Sequence, residues 1–121
     1  MLFRSFDSRL YFDFVKRARA AGIRVPIVPG IMPVTNVKSL KKFTALCGAS
    51  IPRRLRLQLE AVSDDEQAVH DVGVEWATEQ CRALLDGGAP GIHFYTLNRS
   101  RSTVRIFQNL QGAGLVGSDL L

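Results

Sequence analysis

The sequence lacks long apolar runs, and only two of its 121 residues are cysteines. No run approaches the roughly 20 apolar residues that cross a bilayer, which excludes an integral membrane protein. Cys47 and Cys81 form no Cys-x-x-Cys pair, and no export signal opens the sequence, so we expect a reducing, cytoplasmic setting. Dinucleotide-binding and phosphate-loop glycine motifs, zinc-ligand spacings and the Gly-x-Ser-x-Gly elbow are also missing. Spacing alone therefore indicates no reaction.

The composition that is present, 46% apolar and 22% charged, is typical of one small globular domain. The charge is uneven. Residues 1–62 carry twelve Lys and Arg against three acids (+9), and residues 63–121 carry four against eight (−4). The cations fall on the polar sides of separate helical patterns without interleaved aromatic residues, which favours solvated helix surfaces. Anion binding is the alternative, and it suits a polyanionic metabolite as well as a nucleic acid.

Hydrophobic periodicity predicts helices that alternate with two short strands. The first predicted helix is capped by Asp7 and ended by Gly22, and a strand over 25–28 follows, which Pro29-Gly30 ends. Two further helices begin at Asn36 and Pro52, and a long helix follows 64–66. The last two elements are a strand over 91–96 and a helix over 102–110. This alternation is typical of βα units with a parallel sheet, so the predicted class is α/β.

Each helical pattern predicts an inward stripe. The predicted inward residues are Leu10, Tyr11, Phe14, Val15 and Ala18; Val37, Leu40, Phe43 and Leu46; Leu55, Leu59 and Val62; Val69, Val72, Gly73, Trp76, Ala77, Gln80, Cys81 and Leu84; and Val104, Phe107 and Leu110.

Ligands of parallel βα sheets bind where the strands end, which points to the loops at 29–33 and 96–99. Arg99 follows the second strand directly, so its guanidinium could clamp a carboxylate. An ion pair between Arg99 and an acidic residue of a neighbouring helix is an equally favoured alternative. Phe43 fits a core stripe, although its place near a helix start would also let it overhang the site.

The histidines and cysteines indicate structure more than chemistry. His93 alternates with Phe94 in a strand and is predicted to be a hydrogen-bonded core or barrel residue, and His70 a surface residue. Cys47 and Cys81 lie on apolar stripes, which favours buried thiols over nucleophiles. We predict neither a catalytic residue nor a metal site from these patterns.

Two segments resemble a known family. The run Val25–Pro33 (VPIVPGIMP) and the run Gly91–Ser100 (GIHFYTLNRS) are similar to methylenetetrahydrofolate reductases. The features between them fall at matching places, and the resemblance extends over about residues 6–110.

The resemblance implies a (β/α)8 barrel that binds FAD and reduces 5,10-methylenetetrahydrofolate to 5-methyltetrahydrofolate with NADH or NADPH, in one-carbon and methionine metabolism. Residues 1–121 would form a partial domain, the C-terminal portion of the barrel with about its last two strands, and residues 111–121 a frayed tail. The family's acidic proton donor and FAD-binding residues precede the matched region. We therefore expect this chain to be inactive alone.

The resemblance also transfers site residues one by one. Arg99 matches an arginine that contacts folate, Phe43 an aromatic position that packs on folate or the nicotinamide cofactor, and Ser39 a second polar contact to folate. Phe3 stands where the family has a pterin-binding Gln. Either that contact is lost or residues 1–5 lie outside the family sequence, and the second explanation is favoured.

The resemblance implies folate as the partner, with no nucleic acid or membrane, and a homo-oligomer for the full-length family. The alternative is a non-enzymatic, folate-binding or barrel-completing subunit whose N-terminal barrel half is encoded separately.

Overall fold

The protein folds as helices around a small parallel sheet. The computed structural model describes residues 2–47, 50–96 and 101–114, without the side chains of residues 2–4, 39, 43, 46 and 47. The elements are β1 (Leu2–Arg4), α1 (Ser8–Ala20), β2 (Val28–Ile31), α2 (Val37–Cys47), α3 (Arg53–Ala61), α4 (Glu66–Asp86), β3 (His93–Phe94) and α5 (Arg101–Gly112). The three strands are parallel in the order β1-β2-β3, which confirms the predicted α/β class. β1 was not predicted, because three residues are too few to show strand periodicity.

β2 lies three residues later than predicted. Val25 is 52% exposed, and Pro29 and Gly30, which were expected to end the strand, belong to it. β1 pairs with Val28–Gly30, whereas β3 pairs only with Gly30 and Ile31. Pro29 thus has a paired neighbour on one side only, which is where a sheet tolerates the missing N–H.

The predicted ends of α1 and the predicted start of α4 are confirmed by their capping groups. The Asp7 carboxylate accepts the Arg9 N–H at 2.9 Å, and the Asp65 carboxylate accepts two N–H groups at the start of α4. After α1, Gly22 has φ +88°, and the Ile23 N–H returns to the Ala18 carbonyl at 3.0 Å. This is the Schellman arrangement, which needs the left-handed conformation that glycine adopts without strain.

Two apolar clusters form the core, and α4 contributes to both. The central cluster packs α1, α4 and α5 against β2, and the lateral cluster joins α2 and α3 to α4 and the loops. Members of the central cluster are Tyr11, Ala18, Ile27, Ile31, Val74, Ala77, Cys81, Leu84, Ile106 and Leu110, and members of the lateral cluster are Phe6, Val34, Leu40, Leu55, Leu59 and Val69. Since α1, α4 and α5 share one cluster with Ile31, all three lie on the same face of the sheet.

Gly73 allows α4 to touch the loop that follows β2. A Cβ at this residue would lie 2.1 Å from the Val34 carbonyl oxygen, which no side chain can accommodate. The close approach fixes the β2–α2 loop against the middle of α4.

Among the predicted inward side chains that the structure describes, which leave out Phe43 and Leu46, two are wrong. Leu10 is 47% exposed and Val104 is 48% exposed. α5 instead buries Ser102, Ile106 and Leu110, which are spaced by four residues and therefore form one stripe toward α4. Within the described residues, no helix combines the length and apolar character needed to cross a membrane.

Candidate functional site

The three strands end at one edge of the sheet, which brings their following loops together. Because the strands are parallel, Arg4, Ile31 and Phe94 mark the same carboxyl edge. Beyond β3, the Tyr95 N–H donates to the Ile31 carbonyl at 2.9 Å. The loops after β2 and β3 therefore leave the sheet side by side, as expected for a ligand site.

Two predicted site residues lie on α2, the helix that follows β2 along the chain. α2 begins at Val37, and Ser39 and Phe43 are its third and seventh residues, whose side chains are outside the described set. Arg99 falls within residues 97–100, which lie outside the described residues. The backbone of Phe3 pairs with Pro29, and its side chain is likewise not described. The ligand contacts assigned to these residues stay predictions.

α4 holds the loop after β1 in place with side-chain hydrogen bonds. The Gln80 amide donates to the Ser5 carbonyl at 2.6 Å, and the Trp76 indole N–H donates to the Phe6 carbonyl at 3.1 Å. The Ser8 hydroxyl donates to the Gln80 carbonyl at 3.3 Å. Periodicity placed Trp76 and Gln80 on the inner stripe, but it carries no information about the distant carbonyls that they bind.

His93 does not lie in the described core, whereas a place inside a completed barrel, the other half of the prediction, stays a prediction. Phe94 packs on the central cluster, and strand alternation turns His93 and Tyr95 to the opposite face of the sheet. There the His93 ring is exposed and meets the Tyr95 ring edge-on, with centroids 4.7 Å apart. In the described sheet β3 is an edge strand that pairs with β2 alone. No further described strand therefore lies beside β3 to shield the His93 ring.

His70 is not a surface residue, which is a second correction. It is 8% exposed, and among the described residues neither ring nitrogen has a hydrogen-bond partner. Its Nδ1 lies 3.8 Å from the Asp71 carboxylate. A signal was available, since residues 70, 73, 74 and 77 follow the spacing of one buried helical stripe.

His70 borders a cleft of about 950 Å³ between the starts of α2, α4 and α5. The remaining lining residues are Thr35, Asn36, Asp64, Asp65, Glu66, Gln67, Arg101 and Ser102. Arg101 donates to the Gln67 amide oxygen at 3.1 Å. The three acids outnumber this one cation, so the lining is acidic. An acidic lining disfavours an anionic ligand here.

The predicted buried thiol is confirmed for Cys81. Its side chain is fully enclosed in the central cluster, and burial raises the pKa of the thiol to about 12. Such a thiol is not a nucleophile at neutral pH. The Cys47 side chain is outside the described set. Within residues 2–47, 50–96 and 101–114, no cluster of three or more His, Cys, Asp or Glu side chains could hold a metal ion.

Comparison with known proteins identifies the family. The family model described as methylenetetrahydrofolate reductase matches residues 2–111, so the match begins in β1 and includes Phe3. The Arabidopsis thaliana protein named methylenetetrahydrofolate reductase (NADH) 1 is 39% identical over 105 residues, which are 87% of this chain and 18% of that protein. The Salmonella typhimurium protein named 5,10-methylenetetrahydrofolate reductase is 37% identical over 105 residues, 87% of this chain and 36% of that protein.

A Caenorhabditis elegans relative, whose name specifies NADPH, is 41% identical over 106 residues, 87% of this chain and 16% of that protein. The chain thus spans about a third or less of the length of these relatives. The matched region contains all three strands and all five helices of the described structure up to residue 111. The chain belongs to the methylenetetrahydrofolate reductase family.

Proposed function

We propose that residues 2–111 supply the folate-binding, C-terminal portion of a flavin-dependent methylenetetrahydrofolate reductase barrel. The strand order of the sheet is the observation that supports this proposal. In a (β/α)8 barrel, consecutive strands are parallel neighbours and their connecting helices lie outside. β1, β2 and β3 have this order, and α1, α4 and α5 pack on one face of the sheet. The chain would thus provide three consecutive strands, one more than the sequence pattern indicated.

The assignment of folate contacts to Arg99, Ser39 and Phe43 fits their places in the chain. Arg99 follows β3 in the sequence, and a guanidinium at the carboxyl edge of the strands would bind a folate carboxylate through two hydrogen bonds. Positions 39 and 43 are one helical turn apart on α2, the helix that follows β2. A hydroxyl and an aromatic ring there would bind and orient the flat pterin or nicotinamide ring.

The described residues do not fit FAD. Gly73 and Gly87 close against Val34 and Phe12, so neither opens a cradle for a diphosphate. Gly22, Gly88 and Gly114 have positive φ angles at the ends of helices. The cleft beside His70 is lined by acids. FAD would supply hydride transfer in the complete enzyme. We assign FAD binding to sequence outside this chain. We also propose that the complete enzyme is cytoplasmic.

Exchange of segments tests the role of Arg99. The matched segment of the Salmonella relative would be replaced by residues 2–111 of this chain, with and without Arg99→Ala. Loss of a charged, two-point contact should raise the KM for methylenetetrahydrofolate by about tenfold or more. Arg101→Ala is the matched control, because Arg101 is exposed and bonds to Gln67. Equal effects of the two variants would count against the folate contact.

A barrel-completing subunit is the second candidate, and the exposed His93 ring on β3 favours it. Its test is to mix the purified chain with the separately produced remainder of the Salmonella relative. Recovery of bound flavin on mixing would support a separate subunit. Two proteins that stay apart in gel filtration would contradict it.

A further inference from the structure

Two apolar side chains on the helices beside the sheet are exposed to solvent. Leu10 on α1 is 47% exposed, and Val104 on α5 is 48% exposed. A half-buried aromatic ring lies about one turn further along each helix, Phe14 after Leu10 and Phe107 after Val104. Each helix therefore carries an apolar strip that is only partly covered, and we refer to these pairs as the Leu10 strip and the Val104 strip.

The Leu10 strip lies on the side of α1 that faces away from α4. Phe12 marks the side toward α4, because a Cβ at Gly87, which caps the end of α4, would lie 2.1 Å from the Phe12 ring. Two residues turn an α-helix by about 200°, so Leu10 and Phe12 project to opposite sides. Between them, the Tyr11 hydroxyl donates to the Ile27 carbonyl at 2.7 Å, which fixes the rotation of α1.

The Val104 strip likewise faces away from α4. Asn109 marks the side toward α4, because its amide donates to the Thr78 hydroxyl at 3.3 Å, and the buried Ile106 lies on the same side. Val104 is two residues from Ile106, which again places it on the opposite side of the helix. Since α4 packs between α1 and α5, Leu10 and Val104 lie on the two outer sides of a row of three helices.

The sheet has the same two open ends as this row. β1 and β3 are the edge strands of the described sheet, and α1 and α5 follow them directly along the chain. In a closed barrel, each outer helix has a neighbour on both sides. Among the described helices of the row, α4 has two such neighbours, whereas α1 and α5 have one each.

We propose that the Leu10 strip docks the barrel helix that precedes β1, and that the Val104 strip docks the helix that follows the first strand of the barrel. Each partner would present the apolar side of an amphipathic helix. The inference rests on the proposed function and names the two surfaces through which this portion joins the rest of the barrel. It also explains why two positions with core-like periodicity are exposed in the chain alone.

The experiment measures solvent access at both strips by maleimide labelling of Leu10→Cys and Val104→Cys. Each variant is compared in the full chain alone and in the Salmonella relative that carries residues 2–111 as its matched segment. Mass spectrometry reads each introduced cysteine separately from the native thiols. The matched control is Leu57→Cys, because Leu57 is 50% exposed on α3, which packs through the lateral cluster and not in the row.

At positions 10 and 104, labelling should slow by about tenfold or more in the exchanged protein, because the docked helices remove access to the thiol. At position 57, the two rates should agree within about twofold. An exchanged protein that holds flavin yet labels at positions 10 and 104 as fast as at position 57 would overturn the proposal.

Protection in the full chain alone that grows with protein concentration would show that a second copy covers the strips, which would also overturn the proposal. An exchanged protein that neither folds nor holds flavin would instead count against the proposed function and remove the basis of the inference.

Discussion

Gly73 has no room for even a methyl group, since a Cβ at this position would collide with the Val34 carbonyl. We expect Gly73→Ala to lower the free energy of unfolding by roughly 2 kcal/mol or more, because backbone must shift to relieve the contact. Urea unfolding measures this change. Gly112→Ala is the control, because it also lies in a helix but has open space around it, and helix propensity should make it neutral or stabilising. Similar losses in both variants would contradict the packing explanation.

Cys81 should make stability depend on alkaline pH. Burial raises the pKa of its thiol from 9.0 to about 12, so the unfolded chain releases this proton at lower pH than the folded chain. The contribution is complete below pH 9.0 and is lost as the pH rises toward 12. The variant Cys47→Ser keeps Cys81, so its free energy of unfolding in urea should decline between pH 9.0 and about 12. Cys81→Ala should show a shallower decline, and identical profiles would contradict the assignment to Cys81.

At the scale of elements, α4 depends on the cap at its start. The Asp65 carboxylate accepts the N–H groups of Gln67 at 3.0 Å and Ala68 at 3.2 Å. Asp65→Ala should therefore cost about 1 kcal/mol of unfolding free energy. Asp64→Ala removes the neighbouring exposed charge without a cap and should change stability by less than about 0.5 kcal/mol. Equal costs in thermal or urea unfolding would show that charge, rather than capping, is responsible.

The elements could be predicted where local chemistry defines them. Asp7 and Gly22 bound α1 as expected, because capping depends on residues within one turn. The bounds of β2 could not be predicted, because they depend on pairing with β1, which is distant in sequence. The expected position of the site follows from the parallel strands, whereas the burial of His70 depends on how α4 packs. The resemblance, and not periodicity, assigned roles to Arg99, Ser39 and Phe43.

The whole molecule presents an incomplete sheet. Among the described strands, β1 and β3 each pair on one side only, and the His93 ring on β3 is exposed. Unpaired edges and uncovered surface favour association, so the isolated chain should oligomerise or aggregate. Sedimentation velocity tests this prediction, and a well-folded monomer would contradict it.

The isolated chain should also show no bound flavin and no NADH- or NADPH-dependent turnover. Gly73 and Gly87 are closed against Val34 and Phe12 and open no flavin cradle, and without flavin the hydride cannot be transferred. The absorption spectrum of the purified chain measures bound flavin, and an assay with added FAD measures turnover. A flavin spectrum accompanied by turnover would overturn this expectation.

The central claim is that residues 2–111 are a working portion of a reductase barrel. The most direct measurement is the rate of methylenetetrahydrofolate reduction by the Salmonella relative after its matched segment is replaced by residues 2–111. We predict bound flavin and a substrate-dependent rate well above that of either part alone. An exchanged protein that folds and holds flavin, yet does not reduce methylenetetrahydrofolate, would contradict the account.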